Sequence, residues 1–97
     1  MPKAYWIAHV DVHDPAGYEG YRAANAAAFE KYGARFLVRG TPFDLREGSA
    51  RARTVVIEFA DLATARACYD SPEYQAALAI REKYSTADLI IVEGWEG

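Results

Sequence analysis

Apolar and polar residues recur along the chain with two different periods, and the changes of period predict its elements. Segments rich in aromatic and β-branched residues predict strands at residues 4–12, 35–39, 54–59 and 87–94. A further short strand is expected at residues 43–45. Apolar residues spaced near 3.6 predict helices at residues 15–32, 62–69 and 72–84.

Each predicted helix begins at a residue that can cap its free N–H groups. The capping residues are Asp14, Asp61 and Ser71, because short side-chain oxygens accept hydrogen bonds from the first turn. Gly33 suits the left-handed position that ends the first helix. The order strand, helix, two strands, interrupted helix, strand predicts a ferredoxin-like α+β fold, βαββαβ, in which helices cover one face of a four-stranded antiparallel sheet.

Both sides of the predicted strands are apolar, although the helices can cover only one face of the sheet. The expected helix-facing residues are Trp6, Val10, Phe36, Val38, Val55, Ile57, Phe59, Ile90 and Val92. The opposite face is expected to carry Tyr5, Ile7, Leu37, Val56, Leu89 and Ile91. A solvated sheet face normally carries polar residues, and an apolar surface of this extent marks an interaction site. We therefore expect a homodimer in which two sheets pack face to face.

The same uncovered face is predicted to gather one polar side chain from each strand. These side chains belong to His9, Arg39, Glu58 and Glu93, and a polar cluster within an apolar cavity is typical of a small-ligand site. His9 is a candidate general base, since its ordinary pKa of about 6.5 suits proton transfer, or a hydrogen-bonding residue at the dimer seam. Glu58 and Glu93 are candidates for an acid–base pair, or for an ion-pair network with Arg35 and Arg39.

Other candidate ligand-binding residues lie on or near the helices. Arg39 can hold a ligand carboxylate in a two-pronged bond. Asn25 lies on the apolar stripe of the first helix and, if buried, needs a strand end or a ligand as its partner. Tyr69 and Tyr74 are expected mainly in the core with hydroxyls at its edge. Ser71 starts a helix and lacks the flanking glycines of a nucleophile elbow.

Length, composition and charge narrow the class of protein. The 97 residues predict one domain over residues 1–97, and 52% hydrophobic with 26% charged residues is a globular composition. The net charge of −3 disfavours nucleic acid as a partner, although a ferredoxin-like sheet with aromatic residues can bind RNA. No apolar run approaches the roughly 20 residues of a membrane span. No signal peptide begins the chain, so the cytoplasm is the expected compartment.

Neither a metal nor a cofactor is predicted. The chain has no glycine-rich phosphate loop and no dinucleotide fingerprint. The lone Cys68 excludes an intramolecular disulfide and a multi-cysteine zinc site, and is expected to be a small buried hydrophobe. His9 and His13 are four residues apart on a strand, roughly 13 Å, which is too far to share a metal within one chain.

Five segments in this order and spacing resemble the small bacterial proteins called domain of unknown function 1330: AYWIAHVDVHDPAGYEGY, KYGARFLVRG, VVIEF, YDSPEYQAA and DLIIVEG. The resemblance implies a ferredoxin-like subunit that pairs into a dimeric α+β barrel. It also implies membership of a wider superfamily, which includes small cofactor-free monooxygenases, muconolactone isomerase-like enzymes and stress-responsive proteins. The pocket or fold positions that it implies are Arg39, Gly40, Glu58, Phe59, Tyr69, Ser71, Tyr74, Glu93 and Gly94.

Two functions are compatible with these patterns. In the first, a small, partly apolar organic molecule, a carboxylate or a phenol, binds between helices and sheet or at the dimer seam. Arg39 then orients it while Glu58 or Glu93 moves a proton, as a cofactor-free oxygenase or isomerase would require, although fold alone does not imply function. In the second, the protein is a non-enzymatic structural or stress-associated homodimer, and the arginine–glutamate cluster specifies its pairing.

Overall fold

The computed structural model of the protein describes residues 2–40 and 42–96. Its elements are β1 (Ala4–Val12), α1 (Pro15–Lys31), β2 (Arg35–Arg39), β3 (Arg53–Phe59), α2 (Leu62–Asp70), α3 (Pro72–Tyr84) and β4 (Ser85–Glu93). The predicted order of elements is therefore confirmed. The strand expected at residues 43–45 is wrong, because this exposed segment pairs with no neighbouring strand.

The four strands form one antiparallel sheet in the order β2-β3-β1-β4, which confirms the ferredoxin-like α+β fold. The helix-covered face of this sheet carries Trp6, Ala8, Val10, Val55, Ile57, Leu89 and Ile91. The opposite side, called the outer face below, carries Tyr5, Ile7, His9, Val38, Val56, Glu58, Ile90 and Val92. Every helix in the described part of the chain is too short or too polar to span a lipid bilayer.

The three helices begin at the predicted capping residues. The carboxylate of Asp14 accepts hydrogen bonds from the backbone N–H groups of residues 16 and 17 at 3.1 and 3.2 Å. Asp61 accepts from the N–H of Thr64 at 2.7 Å, which holds the pKa of Asp61 below its ordinary value. Ser71 accepts from the N–H of residue 74 at 3.1 Å. These bonds satisfy first-turn donors that have no partner within the helix.

Trp6 is the centre of the hydrophobic core. Only 1% of its surface is exposed, and its indole Nε1 donates a hydrogen bond to the backbone carbonyl of Ala65 at 3.0 Å. Four aromatic rings surround the indole with centroid distances between 4.8 and 5.7 Å: Phe29, Phe59, Tyr69 and Tyr74. Aromatic pairs at these distances add stability beyond the area that they bury. The core therefore joins β1 to all three helices through one side chain.

The prediction of which β4 residues face the helices is wrong. Leu89 and Ile91 lie opposite Ala8 and Trp6 and pack against the core. Ile90 lies on the outer face and is 57% exposed, and Val92 is 39% exposed. Because every position from residue 89 to residue 92 is apolar, the sequence contains no alternation that could choose between the two sides.

The predicted orientation of β2 is wrong beyond Phe36 because a β-bulge lies at Leu37. Phe36 pairs with Ile57. Val38, two residues later in β2, pairs with Val56, which is adjacent to Ile57 in β3. A bulge places two residues of one strand against one of its partner and so reverses the alternation that follows. Consequently Val38 lies on the outer face, and the residue after it, Arg39, lies on the helix-covered face.

Candidate functional site

The predicted cluster of His9, Arg39, Glu58 and Glu93 does not form, because the sheet divides these residues between its two faces. His9 and Glu58 lie on the outer face, where Glu58 is opposite Tyr5, four residues from His9 along β1, a separation of roughly 13 Å. Arg39 and Glu93 lie on the other face but on β2 and β4, the two edge strands. No single site can therefore use all four side chains within one subunit.

The outer-face residues have local partners. The Nδ1 atom of His9 is 3.3 Å from the hydroxyl of Thr54, its neighbour on β3. The carboxylate of Glu58 is 3.7 Å from the ammonium group of Lys3. The catalytic roles considered for His9, Glu58 and Glu93 stay predictions, and none of the three lines the cavity described below.

Three further candidates, Tyr69, Ser71 and Tyr74, belong to the junction of α2 and α3 and to the core beneath it. The hydroxyl of Ser71 donates to the carbonyl of Cys68 at 2.6 Å while it caps α3. Tyr74 is fully buried, and its hydroxyl is 2.9 Å from that of Tyr21. Cys68 is also buried, as predicted, and burial raises the pKa of its thiol to about 12.

A cavity lies between α1, α3 and the helix-covered face of the sheet. It has about 520 Å³ of empty space, part of which is open to solvent. Its apolar lining consists of Trp6, Ala8, Val10, Phe29, Phe36, Val55, Ile57 and Leu89. Its polar lining consists of Tyr18, Tyr21, Arg22, Asn25, Arg39, Arg53 and Arg81. Two of the predicted ligand-binding residues, Asn25 and Arg39, thus share one cavity.

Four arginines and no acidic residue line the cavity. Arg81 is only 8% exposed, and the Nε atoms of Arg53 and Arg81 are buried without a hydrogen-bond partner. Arg22 pairs with Glu19 at 3.0 Å, but within residues 2–40 and 42–96 no ion pair involves the other three. Buried charges in proteins are normally paired, and Arg81 is an exception. With four arginines and no acidic residue in its lining, the cavity carries a net positive charge.

Two tyrosines of α1 lie beside these arginines. The guanidinium of Arg53 is 5.9 Å from the centre of the Tyr18 ring, and that of Arg81 is 5.8 Å from the Tyr21 ring. Burial, with a smaller contribution from Tyr21, raises the pKa of Tyr18 in spite of the neighbouring positive charges. The Tyr18 hydroxyl therefore keeps its proton at neutral pH and can donate a hydrogen bond into the cavity.

Sequence reasoning missed Arg53 and Arg81 as site residues. Arg81 lies on the buried stripe of α3 with Tyr74, Ala77 and Leu78, and all four are buried. An arginine at such a position needs a partner, so its place on an apolar helical stripe could have identified Arg81 as a candidate site residue. Arg53 follows a polar, flexible-looking segment, and only the pairing of its strand shows that it lies opposite the buried Val10.

Comparison with known proteins identifies the family and the fold. Residues 3–95 match the family model described as "Domain of unknown function (DUF1330)". Among curated proteins, none has a sequence that matches the chain.

Solved structures of low sequence identity share this fold. A protein of unknown function from Rhodopseudomonas palustris is similar with a TM-score of 0.71 and 13% identity, covering 99% of this chain and 85% of that one. A dimeric protein of unknown function with a ferredoxin-like fold, from Bacteroides fragilis, has a TM-score of 0.63 and 15% identity, with 97% and 98% covered. SnoaB, a cofactor-independent oxygenase from Streptomyces nogalater, has a TM-score of 0.64 and 19% identity, with 100% and 97% covered.

Proposed function

Because the chain belongs to the family described as domain of unknown function (DUF1330), a description that specifies no reaction, we propose its function from its own cavity. The protein is a homodimer that binds a small, partly apolar organic molecule between the helices and the sheet of each subunit. The observation that carries this proposal is a cavity in which aromatic walls and unpaired polar groups meet.

The lining of the cavity supports a small ligand. A mostly apolar wall with a few polar groups is the usual lining of a ligand pocket. Protein interiors are otherwise close-packed, and unfilled space next to apolar side chains lowers stability. A space that also exposes the buried Asn25 and Arg81 to its interior is best explained by an occupant that satisfies them.

The outer face supports the homodimer. Its residues Ile90 and Val92 are 57% and 39% exposed, and Leu37 at the adjoining bulge is 45% exposed. Sheet-to-sheet packing of two copies would remove this apolar surface from water, with a gain of roughly 25 cal/mol per Å². The similar protein from Bacteroides fragilis is described as dimeric, in agreement with this arrangement.

Nuclear magnetic resonance of the full chain with small aromatic molecules tests the binding site. With phenol, indole and benzoate at millimolar concentrations, we expect saturable shifts of the Val55 and Leu89 methyl signals, because both side chains line the cavity. The adjacent residues Val56 and Ile90 lie on the outer face and serve as matched controls with unchanged signals. Shifts confined to the controls would place the site at the dimer seam, and an absence of shifts with all three probes would contradict ligand binding.

A second candidate function is cofactor-free oxygenation of the bound molecule with O2 as oxidant, which the similarity to SnoaB favours. The positive cavity would stabilise the ionised, electron-rich form of a phenol or enol. Uptake of O2 that accompanies consumption of a bound phenol would support this candidate. Binding without any uptake would favour the non-enzymatic homodimer instead.

A further inference from the structure

We propose that the molecule bound in this cavity is an organic carboxylate on an apolar body, with the carboxylate held between Arg53 and Arg81. This inference rests on the proposed function, since it specifies the ligand of the same cavity. The two arginines belong to the same subunit, on β3 and α3.

The first observation is that the cavity wall contains two arginines whose Nε atoms are buried without a hydrogen-bond partner. Carboxylates of the described ranges pair with Lys3, Arg22, Lys31, Arg46 and Arg51, but not with Arg53 or Arg81. Arg81 is more than nine-tenths buried, yet its Nε has no partner, and the same is true of the Nε of Arg53. A buried charge without a counter-charge is costly, so an anion from outside the chain would reduce this cost.

The second observation is that the two guanidinium groups lie beside neighbouring tyrosine rings in the lining of the same cavity. Arg53 begins β3, whereas Arg81 lies in the last turn of α3. Each approaches one of the adjacent rings of Tyr18 and Tyr21, whose centroids are 5.3 Å apart. Guanidinium groups donate in a fork that matches the two oxygens of a carboxylate, and two such forks in one cavity can hold a single carboxylate from two directions.

The remaining polar lining consists of groups that can donate to an anion. Tyr18 keeps its hydroxyl proton, and Asn25, which is 5% exposed, carries an amide that can donate. The rest of the lining is apolar and aromatic, and it includes Trp6, Phe29 and Phe36. A free inorganic anion would leave that surface without contacts, so an apolar body bearing the carboxylate fits the whole cavity.

Calorimetric titration and thermal unfolding of the full chain with three probes test the proposal. The probes are benzoate, its neutral isostere benzamide, and inorganic phosphate. We expect benzoate to bind at least tenfold more tightly than benzamide, because hydrogen bonds between charged groups are stronger than neutral ones by about this factor. Arg53→Gln and Arg81→Gln are each expected to weaken benzoate binding at least tenfold and to leave benzamide binding unchanged.

Arg66→Gln is the matched control, since Arg66 is an exposed arginine of α2 outside the cavity. We expect it to change neither affinity. The ligand-free unfolding temperature of Arg81→Gln is expected to be equal to or higher than that of the parent, because an unpaired buried charge has been removed. A large loss of ligand-free stability together with retained benzoate binding would assign Arg81 a structural role and overturn the proposal.

The other outcomes are equally decisive. Equal binding of benzoate and benzamide, unaffected by either cavity variant, would overturn the anion while the proposed function survives. Phosphate binding as tight as benzoate binding would overturn the apolar body. An equal effect of Arg66→Gln would show that overall charge, and not this site, attracts the probe. If none of the aromatic probes binds, the proposed function fails together with this inference.

Gly40 gives a second test that leaves both charges in place. Gly40 has a φ of 70° and lies against Arg53, because an added Cβ would be 2.8 Å from the guanidinium carbon. Gly33 has a φ of 66°, and a Cβ added to it would have no other atom within 4 Å. Alanine at either residue should lower the unfolding temperature, since the left-handed conformation disfavours any side chain.

Only Gly40→Ala is expected to weaken benzoate binding, by several-fold, because it displaces Arg53 from the cavity wall. Gly33→Ala should bind benzoate like the parent. Equal affinities for the two alanine variants would mean that the position of Arg53 does not matter to the ligand, which contradicts the proposal.

Discussion

Replacement of Trp6 by alanine is expected to lower the free energy of unfolding by about 3–5 kcal/mol, the usual loss for a large aromatic residue removed from a core. The indole is 1% exposed and contacts four other rings, so its removal leaves a cavity that rigid neighbours cannot fill. Urea unfolding followed by far-ultraviolet circular dichroism measures the change. Parent and variant must be compared at one protein concentration, because association would contribute to the apparent stability.

Trp95 supplies the matched control, since 94% of its surface is exposed. We expect Trp95→Ala to change the free energy by less than about 0.5 kcal/mol. Trp6→Phe should fall between the two, because it keeps an aromatic ring but leaves the Ala65 carbonyl without the indole N–H. Similar losses for Trp6→Ala and Trp95→Ala would contradict the placement of Trp6 at the centre of the core.

Ile90→Glu is expected to dissociate the proposed homodimer. Ile90 lies opposite Ile7 on the outer face, near the middle of β4, and its 57% exposure in the single subunit means that glutamate there should not prevent folding. In a sheet-to-sheet dimer the carboxylate would be desolvated without a partner, which costs several kcal/mol. The dissociation constant should therefore rise at least a hundredfold, measured by analytical ultracentrifugation.

Ala63→Glu on the exposed surface of α2 is the control for this experiment. It adds the same charge away from the outer face and should leave the sedimentation coefficient unchanged. A parent protein that sediments as a monomer at micromolar concentration would refute the homodimer. Dissociation by both variants would indicate that total charge, not the outer face, governs association.

The positions of the helices and strands could be predicted because local chemistry determines them. Asp14, Asp61 and Ser71 make the capping bonds expected of them, and Gly33 has the positive φ expected at the end of α1. The interrupted second helix follows from Ser71 and the proline after it, which together end one helix and begin the next. None of these features depends on distant parts of the chain.

The faces of the strands could be predicted for β1 and β3 but not for β2 and β4. β1 has buried residues at every second position, as the prediction for Trp6 and Val10 required. In β4 every residue from 89 to 92 is apolar, so the sequence does not indicate which side chains face the helices. Only the pairing with β1 determines which of them are buried. In β2 the bulge at Leu37 has no sequence signature, because the alternation of basic and apolar residues reads as an unbroken strand.

The candidate site was only partly predictable for the same reason. Asn25 could be found because a polar residue on a buried helical stripe is visible in the sequence, and Arg81 offered the same signal. Arg39 was found as a ligand-binding candidate but assigned to the wrong face. Arg53 enters the cavity through strand pairing between distant segments, which no local pattern reveals.

The bulge at Leu37 also affects how relatives of this protein should be aligned. Deletion of Leu37 would remove the bulge but leave Val38 opposite Val56 and Arg39 opposite Val55, so both side chains would keep their present faces. A relative that keeps all of these residues but pairs without a bulge would instead turn the equivalent of Arg39 toward the outer face. An arginine aligned with Arg39 therefore lines the corresponding cavity only where strand pairing places it opposite the counterpart of Val55.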